Sequence, residues 1–149
     1  MSGKVNDEYE CLRLENQLCF PMYAAARKIT AYYTPLLKPY NLTYTQYLTL
    51  LVLWEDGDQM VGSICSKLHL DTGTMTPVLK KMENLGYVKR TRSRLDERVV
   101  NISLTKAGKD LKDKVKDIPP MIGSEIHLSK EDTEQLYTLL YKFIDYKDE

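Results

Sequence analysis

Apolar residues recur every three or four positions over much of the chain, which is the spacing of one face of a helix. Between residues 12 and 37 this face is long. Pro35 and Pro39 are expected to close the helix. Pro21 interrupts it, because proline cannot donate to the carbonyl of Gln17. Either the helix kinks there, or a new helical segment starts with Pro21 in its first turn. The apolar positions are Leu14, Leu18, Met22, Ala25, Ile29, Tyr32 and Leu36.

The middle of the chain predicts a helix, a turn, a second helix and a hairpin, in that order. The first helix spans residues 61–70, and Asp71 can cap the second with its carboxylate. The second helix stops at Gly86, a typical residue just past a helix end. Residues 87–92 and 98–104 form the two strands, the latter rich in β-branched residues. This order is that of a winged helix-turn-helix, an arrangement that reads DNA.

A further helix is predicted immediately before this region. Thr43 and Gln46 have the spacing of a capping box, in which each side chain satisfies a backbone N–H of the other residue. The run that follows, residues 47–54, is strongly apolar. A helix of this composition is expected to be buried.

Two more helices are predicted after the hairpin. Residues 105–116 form the first, and Pro119 and Pro120 break its pattern. Ser129 caps the last helix, with Asp132 three residues on. This last helix is too apolar to remain exposed on a small domain, so pairing with a second copy of the chain is expected. Its apolar side consists of Leu136, Leu139, Leu140 and Phe143.

These elements predict a mainly α fold with a small β-hairpin wing. The winged helix-turn-helix, here called the reading head, lies between N- and C-terminal helices that form a dimerisation region. A symmetric homodimer places two reading heads roughly 34 Å apart, about one helical turn of DNA, which matches a palindromic site. The expected parts are a dimerisation arm, the DNA-binding reading head and C-terminal helices completing the dimer interface, at residues 1–40, 41–104 and 105–149.

Charge is balanced over the whole chain but not along it. The chain has 21 basic and 21 acidic residues. The segment between residues 67 and 98, here called the basic patch, has a basic excess. A charge run alone is usually a solvated surface, but within a helix-turn-helix it favours phosphate contact on one face. Its basic residues are Lys67, Lys80, Lys81, Lys89, Arg90, Arg92, Arg94 and Arg98, against Asp71, Glu83, Asp96 and Glu97.

Composition argues against several classes of protein. No apolar stretch approaches the roughly 20 residues that span a bilayer, and the polar start at residues 1–10 is unlike a signal peptide. The cysteines Cys11, Cys19 and Cys65 lack metal-ligand spacing, so no metal or other cofactor is expected. No catalytic pattern is recognisable, so an enzyme is not expected. Three cysteines without an export signal indicate reduced thiols in the cytoplasm. No reactive role is predicted for Cys11, near the N-terminal end, or for Cys65, inside a helix of the helix-turn-helix.

Cys19 has a position that favours reactivity if Pro21 starts a helical turn. The thiol then lies near free backbone N–H groups and the positive end of a helix, which favour thiolate over thiol. Tyr23 lies four residues on, on the same face of a continuous helix. Tyr33 lies about 21 Å away along the axis, so it reaches only the Cys19 of an antiparallel partner. By residue type alone, packing is the commoner role for such cysteines and tyrosines.

Several segments between about residues 14 and 143 carry a family resemblance. Through them the chain resembles the MarR family of winged-helix repressors, and most closely its organic-hydroperoxide-sensing, OhrR-like branch. The Asp-Glu-Arg motif at 96–98 is shared by MarR proteins generally. The Leu-Cys-Phe motif at 18–20, with Tyr23 and Tyr33, is more specific to the branch. The segments are residues 14–20, 35–37, 42–47, 70–77 and 96–98, together with the two tyrosines.

The resemblance implies a repressor of transcription with Cys19 as its redox sensor. Tyr23 and Tyr33 would reach this thiol across the dimer interface and donate hydrogen bonds to the thiolate. Organic hydroperoxide would oxidise the thiolate to sulfenic acid. A mixed disulfide with a low-molecular-weight thiol would then force the helices apart and release the operator. The last third of the chain has no cysteine. Cys11 would lie about 12 Å from Cys19 along a helix, which is too far for a disulfide. A mechanism in which Cys19 is the only reacting cysteine is therefore favoured over one in which a second cysteine forms a disulfide with it.

The resemblance also implies two groups of DNA contacts. The second helix of the helix-turn-helix would face the major groove. Pro77 is tolerated in it because its missing hydrogen bond falls on Gly73. On the wing, Arg98 would enter the minor groove, held by a salt bridge from Asp96. The helix residues are Thr72, Thr74, Thr76, Lys80 and Lys81, and the wing residues that would contact phosphates are Arg90, Arg92 and Arg94.

Two alternative functions remain open. The repressor could be induced by a small aromatic molecule bound between arm and reading head, with Cys19 merely packed. The same thiol could also serve a broader oxidative-stress or virulence regulon, because target genes are not encoded in the protein. A thiol peroxidase is disfavoured, since no proximal resolving cysteine is present. For a peroxide sensor, an apolar pocket near Phe20 and Met22 predicts a preference for hydrophobic hydroperoxides over hydrogen peroxide.

Overall fold

The computed structural model describes residues 8–147. Residues 1–7, which include most of the polar start of the predicted arm, and residues 148–149 lie outside the described part. The helices are α1 (Cys19–Leu37), α2 (Tyr44–Asp56), α3 (Val61–Leu68), α4 (Thr72–Asn84), α5 (Lys106–Val115), α6 (Ile118–Glu125) and α7 (Lys130–Ile144). The strands are β1 (Gln59–Met60), β2 (Val88–Arg92) and β3 (Val100–Leu104). Short 3-10 turns occupy Glu10–Leu12, Leu14–Asn16 and Lys38–Tyr40.

The N-terminal helix begins later than the apolar spacing predicted, because α1 starts only at Cys19. Pro21 therefore lies in its first turn, where a missing donor costs no helical hydrogen bond. Of the two outcomes left open by the sequence, a new helical start is the correct one. The prediction that Pro35 closes the helix was wrong: Pro35 lies inside α1, which continues to Leu37.

Helix α2 forms the centre of the core, and its predicted capping box is confirmed. The Gln46 backbone N donates to Thr43 Oγ1 at 3.3 Å, and the Thr43 backbone N donates to Gln46 Oε1 at 2.9 Å. Tyr47, Leu50 and Leu53 of this helix are almost fully buried. Burial of such side chains supplies most of the stabilisation of a small domain.

The predicted helix-turn-helix is present, with α3 two residues shorter than expected. α3 ends at Leu68 because His69 adopts a left-handed conformation with φ of 53°. The Leu70 backbone N then donates to the Cys65 carbonyl, which closes the helix end. Asp71 caps α4 as predicted: its Oδ1 accepts from the Thr74 backbone N at 2.7 Å.

The predicted hairpin of the wing is present, and a third, short strand extends it into a three-stranded antiparallel sheet. β2 and β3 pair in the register Arg90 with Ile102. β1 pairs with the other edge of β3, so the strand order is β1-β3-β2. β1 has only two residues, which is too short to produce a recognisable alternation in sequence.

The described chain divides into two compact units between Lys116 and Asp117. The second unit contains α6, which was not predicted. Pro119 and Pro120 follow the end of α5 as expected, but they lie in the first turn of α6, where proline is tolerated. Ser129 caps α7 as predicted, since its Oγ accepts from the Asp132 backbone N at 3.0 Å.

No helix of the described residues is both long enough and apolar enough to cross a membrane.

Candidate DNA interface and thiol site

Helix α4 is anchored by one face and presents the other to solvent. Met75, Leu79 and Met82 are buried. The predicted contact residues lie on the remaining surface: Thr72, Thr74, Lys80 and Lys81 are exposed, and Thr76 is partly exposed. The apolar anchor therefore orients the polar face outward, as a reading helix requires.

The threonine hydroxyls of α4 already donate hydrogen bonds within the helix. Thr74 Oγ1 donates to Asp71 Oδ2 at 3.0 Å, and Thr76 Oγ1 donates to the Thr72 carbonyl at 2.8 Å. Both oxygens keep lone pairs that can accept from base amino groups. The hydrogen bond from the Thr74 backbone, followed by that from its hydroxyl, lowers the pKa of Asp71. Asp71 is thus an ionised cap at the helix start.

Arg90 has a structural partner that the sequence analysis did not identify. Its backbone N donates to Glu83 Oε2 at 2.9 Å, and its Nε donates to Glu83 Oε1 at 3.2 Å. The backbone hydrogen bond, then the guanidinium, lowers the pKa of Glu83. The pair joins β2 to α4, so one edge of the Arg90 guanidinium is already occupied. The two residues lie seven positions apart across the turn at Gly86, and this opposite-charge spacing could have indicated the pair.

The loop that joins β2 to β3, residues 93–99, is here called the wing tip. Asp96 Oδ1 accepts from the Arg98 backbone N at 3.0 Å and from Arg98 Nε at 3.2 Å. The predicted salt bridge is therefore confirmed, while the Arg98 side chain remains 92% exposed. Arg92 Nη1 donates to the Glu97 carbonyl at 3.1 Å. Arg94 is exposed.

A cleft of about 760 Å³ opens between α3, α4 and the sheet. It brings together residues that the sequence assigned separately to the reading helix and to the wing. From α4 come Thr72, Thr76 and Lys80, and from the wing come Arg90, Arg92 and Arg98. The two groups thus border one concave, positively charged surface.

Lys67 contributes less to the basic patch than its position in the sequence suggested. Its Nζ lies 2.5 Å from Asp56 Oδ2 and 3.4 Å from Glu55 Oε2. The hydrogen bond to Asp56 raises the pKa of Lys67. The ammonium is therefore compensated by two carboxylates of α2. Within residues 8–147, the basic residues of the patch that make no ion pair are Lys80, Lys81, Lys89, Arg92 and Arg94.

Cys19 is exposed as the first residue of α1. Tyr23, one turn on, is also exposed, and the guanidinium carbon of Arg27 lies 5.6 Å from its ring centroid. Tyr33 lies on the same continuous helix, fourteen residues from Cys19. A single chain therefore does not bring the two together, as the helix geometry predicted.

Tyr33 belongs to a cluster of three rings, here called the tyrosine cluster: Tyr33, Tyr44 and Tyr47. The Tyr33 centroid lies 4.5 Å from that of Tyr44 and 5.4 Å from that of Tyr47. Burial, and then repulsion from the other two phenols, raises the pKa of Tyr33 to about 12. Its hydroxyl therefore stays protonated and can donate a hydrogen bond. Tyr44 was not identified as a site residue, because its proximity to Tyr33 depends on the packing of α1 against α2.

The other two cysteines lie in different surroundings. Cys65 is buried in α3, inside a helix of the reading head as predicted. Cys11 is exposed in the 3-10 turn Glu10–Leu12. The eight-residue helical separation between Cys11 and Cys19 that the sequence suggested therefore does not exist.

Comparison with known proteins gives consistent matches. The model of the family described as transcriptional regulator SarA/Rot matches residues 31–115. The organic hydroperoxide resistance transcriptional regulator of Bacillus subtilis is 46% identical over 141 residues, 95% of this chain and 96% of that protein. The crystal structure of MarR is 15% identical and shares the fold, with a TM-score of 0.72 over 86% of this chain and 95% of that one.

The regulator AbfR of Staphylococcus epidermidis has been solved in several redox forms. Its reduced and overoxidised structures, both bound to DNA, are 38% and 37% identical to this chain, each with a TM-score of 0.76. They cover 91% of this chain and 94% and 95% of theirs. Its disulfide-formed structure has a TM-score of 0.64 over 91% of this chain and 96% of that one.

These matches extend beyond the reading head, since they also include α1 and the C-terminal helices. A family model covering more than half of the chain agrees with a relative matched almost end to end. The chain is therefore a transcriptional regulator of the SarA/Rot family, with the winged-helix fold of MarR.

Proposed function

We propose that this regulator is a DNA-binding repressor that senses organic hydroperoxides by oxidation of Cys19 and then releases its operator. The observation that carries the proposal is an exposed cysteine at the first position of α1. It occurs in a chain 46% identical to a regulator named for organic hydroperoxide resistance. The reduced, overoxidised and disulfide-formed structures of AbfR further support a thiol-based mechanism.

The sensing step is a two-electron oxidation of the thiolate. The Cys19 sulfur attacks the terminal peroxide oxygen, the O–O bond breaks, and the alkoxide leaves and takes a proton to become the alcohol. Cys19 is then a sulfenic acid. A low-molecular-weight thiol attacks this sulfur, water leaves, and a mixed disulfide forms. At the start of α1, backbone N–H groups without helical partners face the region where the anion would lie.

The tyrosine cluster supports this role if the protein is a homodimer. Tyr33 cannot reach the Cys19 of its own chain, but it can reach that of an antiparallel partner. Its raised pKa keeps the phenol protonated, so it can donate to a partner thiolate. Tyr44, whose ring lies against that of Tyr33, joins Tyr23 and Tyr33 as a candidate donor. Oxidation would replace the anionic acceptor and weaken these hydrogen bonds.

Exposed apolar side chains on two helices support the homodimer. Phe20 and Tyr23 project from α1, and Leu139 and Phe143 project from α7. Each is at least 45% exposed in the single chain. We propose that a second copy covers both faces and sets the distance between the two reading heads. A change at Cys19 would then alter their spacing on a palindromic operator.

The predicted DNA contacts are retained in this proposal with one change. Thr72, Thr74, Thr76, Lys80 and Lys81 face the major groove, and Arg98, oriented by Asp96, enters the minor groove. Arg92 and Arg94 contact phosphates. Arg90 is assigned chiefly to holding the wing against α4 through Glu83, since that pair already uses its Nε.

Fluorescence anisotropy tests the sensor directly. The wild type, Cys19→Ser and Cys11→Ser are bound to a palindromic operator from the regulator's own promoter. Cumene hydroperoxide is then added with a small thiol present. We expect release by the wild type and by Cys11→Ser, and retention by Cys19→Ser. Cys11→Ser is the matched control, because Cys11 is also exposed. Release of the operator by Cys19→Ser, or retention of the operator by the wild type and both variants, would contradict the proposal.

A second candidate function is repression relieved by a small molecule. The observation in its favour is the cleft of about 760 Å³ between α3, α4 and the sheet. Its arginines suit an anionic ligand, which would compete with phosphate. In that case, oxidant would not release the wild type, and Cys19→Ser would respond to inducer as the wild type does.

A further inference from the structure

Leu95 lies at the wing tip and is 100% exposed. The other large apolar residues recorded as exposed in the described chain are between 36% and 75% exposed. A single exposed leucine needs no explanation in general. Leu95 is unusual because it lies at the tip of a loop that also carries two exposed arginines, alongside Asp96 and Glu97. Arg94 precedes it, and Arg98 is 92% exposed three residues later.

The wing tip holds Leu95 outward through a set of hydrogen bonds. The Leu95 backbone N donates to Ser93 Oγ at 3.2 Å. The Ser93 backbone N donates to the Val99 carbonyl at 2.8 Å, and the Val99 backbone N donates to the Asp96 carbonyl at 3.0 Å. The side chain therefore projects from an internally bonded turn. It buries none of its surface, so it contributes nothing to the stability of the fold.

We infer that Leu95 packs against the deoxyribose wall of the minor groove that Arg98 enters. The walls of this groove are lined by sugar C–H groups, which offer an apolar surface beside the negatively charged phosphates. Apolar side chains of proteins that bind this groove are used in such contacts. The inference rests on the proposed operator binding, but not on oxidation of Cys19.

The contact gives Leu95 a different role from that of the neighbouring arginines. Each arginine that neutralises a phosphate releases counterions, so its contribution falls as the salt concentration rises. The leucine releases none, and its contribution depends on how closely the groove walls approach. Leu95 therefore makes affinity sensitive to groove width in the base pairs that flank those contacted by α4.

Salt-dependent binding tests this assignment. Operator affinity is measured by anisotropy between 50 and 200 mM salt for the wild type, Leu95→Ala, Arg98→Ala and, as an exposed leucine of α2, Leu51→Ala. We expect Leu95→Ala to weaken binding about fivefold at every salt concentration, with the wild-type slope. Arg98→Ala should weaken binding and also reduce the slope, and Leu51→Ala should change neither. Leu95→Met, which retains an apolar side chain, should restore most of the affinity.

Each result separates this inference from the proposed function. Wild-type affinity for Leu95→Ala, or a changed salt slope, overturns the role of Leu95 while leaving operator binding intact. Equal losses in Leu95→Ala and Leu51→Ala also overturn it, because they would indicate a general effect. If the wild type itself does not bind the operator, the proposed repressor function fails.

Discussion

Helices α2 and α7 are similar in length and capping and opposite in burial. They have 13 and 15 residues, and a hydroxyl side chain caps each. Six residues of α2 are buried, whereas none of α7 is. The core around α2 is completed within the chain. In α7, Leu136, Leu139, Leu140 and Phe143 are exposed. Apolar periodicity alone therefore does not determine whether a helix is buried within its own chain.

The largest expected effect comes from the core of α2. Leu50→Ala removes a fully buried side chain, so we expect the free energy of unfolding to fall by about 3 kcal/mol. Urea unfolding of both proteins at one fixed protein concentration measures the change. The fully exposed Leu95→Ala is the control and should unfold as the wild type does. A loss below about 1 kcal/mol for Leu50→Ala would contradict this account of the core.

A glycine of α5 tests the same core from the side of the wing. A methyl group on Gly108 would clash with the Tyr87 carbonyl oxygen at the start of the wing. We expect Gly108→Ala to lower the free energy of unfolding by about 2 kcal/mol, because backbone must move. Gly123→Ala in α6 is the matched control, since no atom lies within 4 Å of the added carbon. Similar free energies of unfolding for the two variants would show that the backbone at Tyr87 moves at little cost.

Phe143→Ala tests whether a second copy covers α7. The side chain is 68% exposed in the single chain, so its loss should affect association more than folding. We expect self-association to weaken about tenfold by sedimentation, since buried aromatic residues often dominate interface energies. Lys142→Ala, the adjacent residue of the same helix, is the control. Unchanged association in Phe143→Ala would remove α7 from the proposed interface.

The capping residues of α2 and α7 allow a second comparison of the two helices, with smaller expected losses of stability. Thr43→Ala removes a capping box from a helix in the core, and we expect a loss of about 1 kcal/mol in the free energy of unfolding. Ser129→Ala removes a similar cap from α7. It should lower helix content by circular dichroism without changing the unfolding midpoint of the core, followed by Trp54 fluorescence. A core midpoint lowered equally by both variants would show that α7 and the core unfold together.

The smallest expected effect is a pH dependence due to the tyrosine cluster. The pKa of Tyr33 rises from 10.0 to about 12 on folding. The folded state therefore holds this proton more tightly. The associated stabilisation is complete below pH 10 and is lost as the pH rises towards 12. Tyr33→Phe should show a shallower loss of stability over this range. An equal slope in both proteins would assign the effect to Tyr44 and Tyr47, whose pKa values burial also raises.

Local sequence signals predicted much of the reading head. Both caps, at Thr43 and Asp71, form as expected, because each depends on residues only three positions apart. The Asp96–Arg98 salt bridge, which the family resemblance implied, also forms. The sequence did not predict β1, because two residues are too few to show the alternation of a strand. α6 was hidden by the two prolines in its first turn.

The candidate site was less predictable where it depends on contacts between elements. Nothing in the local sequence indicated that α2 carboxylates compensate Lys67. The ring contact between Tyr44 and Tyr33 required the packing of α1 on α2. In each case, residues distant in sequence meet because two helices pack through their apolar faces. This packing also sets the positions of the polar residues beside those faces.

The sequence by itself determined the order of most helices and strands, the capped helix starts, and the position of Cys19 ahead of Tyr23 and Tyr33. These features follow from backbone hydrogen bonding and from spacing along single elements. Tertiary structure decided that Arg90 holds the wing while Arg98 remains free to project. It also decided that Tyr33 is a partly buried phenol with a raised pKa and that Leu95 is fully exposed. Burial and partner choice depend on which elements pack together, and spacing along one element does not encode that.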